Sequence, residues 1–411
     1  MTTRMAVGHV ARGTRRRLLR AASAAAIASA AATASAGAGR AAMAAQATPT
    51  AAPAPLPVET QLALEAIVDG ALADTFTPGA LVGVWLPGGG AWLKAAGVGD
   101  LATGAPVSLD DHVRIASITK TFVATVVLQL VDEGQLNLDD TLEGFVPGIA
   151  NGDAITLRQV LGMTAGIRDY VTDPRIAIDY AADPLLPFSP EEAVQIMRRG
   201  TPNFAPGDGV QYSNSNYILL GLIVEQVTGN SIEQEIEERI ITPLGLSGTS
   251  FPTSPEMPAP FMHGYAGAAL GDPLVDASRS NPALPWASGA MISTLRDMRT
   301  WGEALATGSL LSPETQRQQL EFTPFPNAAP GQEVGYGLGI LSFNGLLGHN
   351  GGIVGYSLWL VHDPDTGATV AVVTNRATID GGTADPIFGG IVSLLFPERF
   401  PPAPATATPT A

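Results

Sequence analysis

The sequence predicts an α+β fold: an antiparallel sheet flanked by helices and built from both chain ends, with a mostly helical domain inserted between them. Three observations carry that expectation. Two strand-like segments, residues 80–86 and 91–97, lie early in the globular part. Four more, residues 336–343, 346–349, 356–362 and 368–375, lie near its end. The stretch between the two groups is helix-rich, with legible helix starts.

In chain order, residues 58–73 place Leu62, Leu64, Ile67, Val68 and Leu72 at near-helical spacing and read as a helix. A Pro-Gly-Gly-Gly turn separates the two early strands. Residues 117–133 form a long run, almost wholly apolar after Lys120, which Gly134 can end. A helix apolar on most faces is a buried helix. Thr156 with Gln159, Ser189 with Glu192 and Ser231 with Gln234 fit the capping box, in which a hydroxyl and a later Glu or Gln satisfy each other's backbone N–H groups. Residues 217–227 read as a further helix. Asp363-Pro364-Asp365-Thr366-Gly367 reads as a hairpin turn, and residues 385–396 as a closing helix. The sheet-bearing part is expected at about 58–125 and 285–400 and the insert at about 126–284, with the crevice between them as the natural place for a site.

Composition narrows the possibilities. The chain has 411 residues, enough for a large core, and is 45% hydrophobic against 15% charged, which excludes a charge-rich disordered protein. It has no cysteine, so disulfides, thiolate metal sites and thiol nucleophiles are absent together. Seven of the 22 basic residues and none of the 38 acidic ones fall in residues 1–47, so the remainder carries a formal charge of −23. Such a body repels nucleic acid and anionic lipid head groups.

Residues 1–47 read as an export signal. Arg15-Arg16-Arg17-Leu18-Leu19 precedes an alanine-rich stretch, and Ala45-Gln46-Ala47 offers a small-residue cleavage site. The paired arginines resemble the twin-arginine type. A retained membrane anchor is the alternative, but alanine with serine, threonine and glycine transfers poorly into hydrocarbon. The expected location is therefore outside the cytoplasm: periplasmic, wall-associated or extracellular. Residues 48–57 read as an extended Pro/Ala/Thr linker, and 401–411 as a tail of the same character; both are expected to be disordered.

The chain contains two lysines, Lys94 and Lys120. One of them closes Ser117-Ile118-Thr119-Lys120 at the start of the apolar helix, where residues three apart share a face. A serine hydroxyl is inert at neutral pH unless a neighbouring base takes its proton, and a desolvated lysine can be that base. A helix N-terminus adds a positive end and free N–H groups. The competing reading is a capping serine with its lysine extended into solvent. Tyr212-Ser213-Asn214 follows a Pro/Gly-rich loop and offers a phenol that can relay a proton and an amide that can bind substrate. Gly348-His349-Asn350-Gly351-Gly352 follows a predicted strand, where glycines let a ligand approach backbone N–H groups. His349 reads either as a proton relay or as a satisfied core histidine.

These three pieces, in this order, resemble the serine penicillin-recognising family, which includes class C-type β-lactamases, D-alanyl-D-alanine carboxypeptidases and related esterases. The family signature is Ser-x-x-Lys, Tyr-x-Asn and Lys/His-x-Gly. The resemblance spans roughly residues 60–395 and includes Val160–Ile167 and Tyr212–Tyr217. It implies a β-lactamase/transpeptidase-like fold with Ser117 as the acylated nucleophile. It implies Lys120 as the base, alone or with Tyr212, and Asn214 and His349 as groups that orient substrate. It places Asn350, Gly351 and Gly352 beside the substrate, with the N–H groups of Ser117 and Gly352 forming an oxyanion hole. The implied reaction is acyl transfer through a serine ester, on a small peptide, lactam or ester, without metal or organic cofactor. His349 stands where class C β-lactamases carry lysine, which leans towards a D-alanyl-D-alanine carboxypeptidase. Asn350 stands where that subgroup has a carboxylate-binding threonine, which adds weight to an esterase or amidase.

Other hydrolases fit less well. An α/β-hydrolase needs a Gly-x-Ser-x-Gly elbow, which does not occur, and a zinc hydrolase needs ligands beyond His112, His263, His349 and His362. The non-enzymatic alternative is a penicillin-type sensor or wall-binding module that is acylated without turnover.

Overall fold

The computed structural model describes residues 56–401 apart from 89, 268–271, 327, 329–330 and 379–380. Among them, nine strands form one sheet: β1 (Gly79–Trp85), β2 (Ala91–Asp100), β3 (Ala105–Pro106), β4 (Thr323–Pro324), β5 (Val334–Tyr336), β6 (Leu341–Phe343), β7 (Leu346–Ile353), β8 (Tyr356–His362) and β9 (Thr369–Thr374). Their spatial order is β3-β2-β1-β9-β8-β7-β6-β5-β4, with every neighbouring pair antiparallel. The first and last parts of the chain thus meet at the β1/β9 pair, where Leu81 lies opposite Val373.

The central strands are apolar throughout because both faces are covered. Leu81, Ala371 and Val373 enter one core, whereas Ala80, Val82, Val84, Val370 and Val372 enter the other. Alternate side chains of a strand point to opposite faces, so a doubly buried strand reads as a continuous apolar run. Helices α1 (Val58–Asp74) and α7 (Asp385–Leu395) cover the second face through Leu64, Val68, Ile387 and Ile391. On the first face lie α2 (Thr119–Asp132), α3 (Leu157–Leu161), α4 (Pro190–Arg199), α5 (Asn214–Thr228) and α6 (Leu295–Thr307).

Local chemistry explains the helix ends. Thr156 and Ser189 form reciprocal capping boxes with Gln159 and Glu192. Ser231 caps Ile232–Ile236 through the Gln234 N–H alone. Helix α2 is sealed in from all sides, with Phe122 stacked on Trp301 at 3.9 Å and the Trp301 indole N–H donating to Thr121 at 2.8 Å. Helix α5 is tied to α3 by Asn216, whose amide donates to the Val160 carbonyl at 2.8 Å.

Three expectations are corrected. Residues 336–343 are not one strand: β5 and β6 are separated by Gly337–Ile340, where Gly339 takes φ +78°. A Cβ on Gly339 would lie 2.1 Å from the Ala124 side chain on α2, so the chain turns there to pass against that helix. Strand β7 runs to Ile353 rather than His349, because Asn350–Ile353 pair with Tyr356–Trp359 of β8. The motif around His349 therefore lies within a strand. The linker ends earlier than residue 57: Leu56 is buried against the second core, and its carbonyl accepts from the Gln61 amide. The expected export signal, the rest of that linker and the tail beyond residue 401 lie outside the described residues. No helix among the described residues is long and apolar enough to cross a membrane.

Replacing Gly339 by alanine should destabilise the protein by about 2–4 kcal/mol, from a left-handed backbone position and overpacking against Ala124. Equilibrium urea unfolding measures this, and a loss below 0.5 kcal/mol (roughly the scale of a neutral surface change) would contradict the packing described.

Candidate active site

Ser117 lies in a single 3-10 turn, Ala116–Ile118, that leads into α2. The preceding Ala116 takes φ +45°, a left-handed conformation that costs a non-glycine residue about 1–3 kcal/mol and is usually held only where the surroundings enforce it. The enforcement is visible. Ile115 donates its N–H to Met291, and the Thr119 hydroxyl accepts from the Met291 N–H at 3.1 Å. Gly351 of β7 passes so close that an added Cβ would meet the Ile115 carbonyl at 2.9 Å. Ser117 is not a helix cap, and its side chain is partly exposed.

Lys120, one turn on, is fully buried and does not extend into solvent. Its Nζ lies 3.1 Å from Ser117 Oγ, 2.8 Å from Asn214 Oδ1 and 2.6 Å from the Ser288 carbonyl. Burial pulls the amine down to about 7, against the opposing pull of the nearby Asp169 carboxylate. The partners also dictate where its lone pair points. A carbonyl can only accept, so Ser288 takes one hydrogen. Asn214 donates its Nδ2 to Asp169 Oδ2 at 2.9 Å, and since a carboxylate only accepts, the other end of the amide, Oδ1, must face Lys120 and take a second hydrogen. A neutral amine has two hydrogens. Its lone pair is left facing Ser117, the one partner able to donate.

Tyr212 sits with its ring 4.9 Å from Lys120 Nζ, edge-on to Tyr336 and tilted against His349. Its hydroxyl is buried and makes no hydrogen bond among the described residues. Burial drives the phenol far above its ordinary value, with the Ser117 hydroxyl acting in the opposite sense, so Tyr212 is a phenol and not a phenolate at neutral pH. His349 is buried, with Nδ1 against the Asn350 carbonyl at 2.5 Å and Nε2 against Tyr336 Oη at 3.1 Å. Burial, assisted by Lys120, lowers it to about 3, so the ring is neutral.

A cavity of about 260 Å³ opens over Ser117, lined also by Asn214, Ser288, Gly352, Tyr170 and Leu284. A Cβ on Gly352 would meet nothing, so the backbone faces open space there. Of the residues singled out from sequence, Ser117, Asn214 and Gly352 border the cavity, and Lys120 and Tyr212 gather beneath Ser117. His349, Asn350 and Gly351 do not line it. Asn350 is exposed, and Gly351 is packed against the turn that carries Ser117. Among the described residues, no charged one lines the cavity. Sequence reasoning missed Asp169, Tyr170 and the Ser288 carbonyl. The first two belong to a single 3-10 turn, Tyr170–Thr172, with Asp169 as its cap, too short to show periodicity, and a backbone carbonyl has no side-chain signature.

Comparison with known proteins now adds lineage to geometry. Residues 64–388 match the Beta-lactamase family. The chain belongs to that family. Within the β-lactamase family it is 28% identical over 375 residues to penicillin-binding protein 4 of Amycolatopsis lactamdurans, covering 83% of this chain and 92% of the relative. It is 28% identical over 339 residues to a D-aminopeptidase of Brucella anthropi, covering 79% of this chain but only 61% of that longer protein. The crystal structure of a D-stereospecific amidohydrolase from Streptomyces sp. superposes with a TM-score of 0.73 at 32% identity, covering 82% of this chain and 98% of the other. The fold expected from sequence is thus present, and the chain is a β-lactamase-family serine hydrolase.

The charge on Lys120 should set the acid limb of reactivity. Acylation of Ser117 by an activated ester should rise with pH around a midpoint near 7 as the amine loses its proton. Asp169→Asn removes the influence that raises Lys120, so the midpoint should move to lower pH. His349→Gln should keep the limb, since that ring is already neutral. A limb that vanishes with His349→Gln, or that moves up with Asp169→Asn, would contradict this assignment.

Proposed function

We propose that this protein hydrolyses small amides and esters, D-amino-acid amides foremost, through an ester on Ser117. The observation that carries the reading is the buried Lys120 Nζ 3.1 Å from the Ser117 hydroxyl, with its other two hydrogen-bond partners able only to accept. In the proposed sequence, the Ser117 proton passes to Lys120 as Oγ bonds to the substrate carbonyl carbon. The negative charge on the carbonyl oxygen is held by the N–H groups of Ser117 and Gly352. Collapse breaks the bond to the amine or alcohol, which takes its proton from the Lys120 ammonium, directly or through the protonated Tyr212. Water, giving a proton to Lys120, then attacks the acyl carbon, and the bond to Ser117 Oγ breaks as that proton passes from Lys120 to Oγ, releasing the acid.

Amides and esters are favoured over removal of a C-terminal D-alanine because such a peptide brings a free carboxylate. Among the described residues no charged one lines the cavity, His349 is neutral and buried, and Asn350 is not part of the lining. The names of the similar proteins, a D-aminopeptidase and a D-stereospecific amidohydrolase, point the same way. Export is part of the proposal, resting on the arginine-led, alanine-rich residues 1–47. A secreted product whose N-terminus falls near residue 48 would support it; an unprocessed cytoplasmic protein would not.

One turnover panel tests the chemistry: D-alanine amide, L-alanine amide, a D-alanyl-D-alanine peptide, a cephalosporin and nitrophenyl acetate. The D-amide and the ester should be turned over most efficiently. Ser117→Ala and Lys120→Ala should each lose about 10³-fold or more in kcat/KM, as expected when a member of a catalytic unit is removed. Faster release from the D-alanyl-D-alanine peptide would restore the carboxypeptidase reading. A permanent acyl-protein without product would mean a sensor, and unchanged turnover by Ser117→Ala would refute the nucleophile.

A further inference from the structure

A second cavity, of about 330 Å³, adjoins the first: Tyr180 and Leu284 line both. Its apolar lining includes Ile176, Leu186, Phe188 and Ile196, and its rim carries the exposed Arg175, Asp179, Glu192, Gln195 and Arg199. The shared wall is built rather than incidental. Tyr170 donates its hydroxyl to the Leu284 carbonyl at 2.5 Å and stacks on Phe188 at 5.9 Å. Asn281 donates its side-chain amide to the Leu186 carbonyl at 2.7 Å and its N–H to the Pro184 carbonyl at 2.8 Å. These bonds tie the segment bordering Ser117 to the segment bordering the second cavity. Large apolar side chains are left in water around both: Val171 and Val354 in the lining of the first are 37% and 39% exposed, and Leu186 in the second is 40% exposed. Exposed apolar surface in a concave site gains free energy when an apolar ligand covers it.

Direction follows from proton donation. The leaving group must depart near Lys120 or Tyr212, and the aromatic cluster of Tyr212, Tyr336 and His349 lines neither cavity. The cavities extend from Ser117 on the side of Tyr170, Tyr180 and Leu284, which leaves that side for the acyl part of the substrate.

We propose that the second cavity is an acyl-side subsite that takes an extended apolar group, so that the protein selects substrates whose acyl portion reaches past Leu284 and Tyr180. This rests on the acyl-Ser117 reading above and adds the length and character of the acyl group.

A series of nitrophenyl esters from acetyl to octanoyl tests it, with steady-state release of nitrophenolate and the mass of the acylated protein as readouts. For wild type, kcat/KM for acylation should rise with chain length by up to about fourfold per methylene once the chain passes Leu284. Gln195→Trp, at an exposed position on α4 that borders the second cavity, should flatten that rise while leaving the acetyl ester within about twofold of wild type. Leu186→Ala should weaken the rise without abolishing it. A flat length dependence in wild type, or a Gln195→Trp loss equal for acetyl and octanoyl esters, would overturn the subsite while Ser117-dependent hydrolysis stood. Hydrolysis that survives Ser117→Ala would instead overturn the reading beneath it.

Discussion

A lysine amine sealed from water must place every hydrogen it carries, and the architecture around Ser117 is organised by that requirement. Lys120 is fully buried, and lowering its pKa from 10.5 to about 7 corresponds to about 5 kcal/mol by which its charged form is disfavoured. Two pure acceptors, Asn214 Oδ1 and the Ser288 carbonyl, take the hydrogens that a neutral amine has. Removing either would leave a buried donor unsatisfied, a cost of about 1–3 kcal/mol that favours rearrangement of the site. The amine's orientation towards Ser117 is therefore a consequence of where three separate elements end: the start of α2, the first turn of α5 and the turn Trp286–Ser288.

Holding those ends together is the task of the fold. Helix α2 is locked by Trp301 on α6 and by the backbone of Met291, and α5 is locked to α3 by Asn216. The sheet matters for a different reason. Its pairing of early and late strands carries β7 past the Ile115–Ala116 backbone, at a distance that only glycine at 351 permits. This brings residue 352 to the same cavity as residue 117. An antiparallel sheet assembled from both ends of the chain is thus the means by which the two proposed oxyanion donors, more than two hundred residues apart in sequence, come to share one opening.

How much of this was legible in the sequence depends on whether the determinant is local. Ser117 and Lys120 lie three apart on one helical turn, so their pairing needs only helical geometry. The capping boxes at Thr156 and Ser189 and the turn at Asp363–Gly367 are likewise closed within a few residues, with Thr366 bonding Asp363 directly. Strand ends were less legible. Asn350-Gly351-Gly352 has no strand propensity, and its extension is imposed by the partner strand β8. Residues 336–343 keep strand-like apolar spacing across Gly337 and Gly339, yet the approach of Ala124 and Tyr217 forces a turn that no local pattern announces. Asp169 is the most instructive omission: it acts on Lys120 by its charge and by orienting the Asn214 amide, 45 residues away.

That carboxylate also explains why the amine is poised rather than merely neutral. Burial drives an ammonium towards the neutral form, whereas a negative charge nearby opposes it; at Lys120 the two act together and leave the group near 7. Burial holds His349 neutral and Tyr212 protonated at that pH. The remaining polar groups at the opening are dipoles, which stabilise charge developing on a carbonyl oxygen without offering a permanent cation to an anionic ligand. Under the proposed reading, a body with a formal charge of −23 would add long-range repulsion of carboxylate-bearing substrates to that lack of a cation, and would leave neutral amides and esters unopposed.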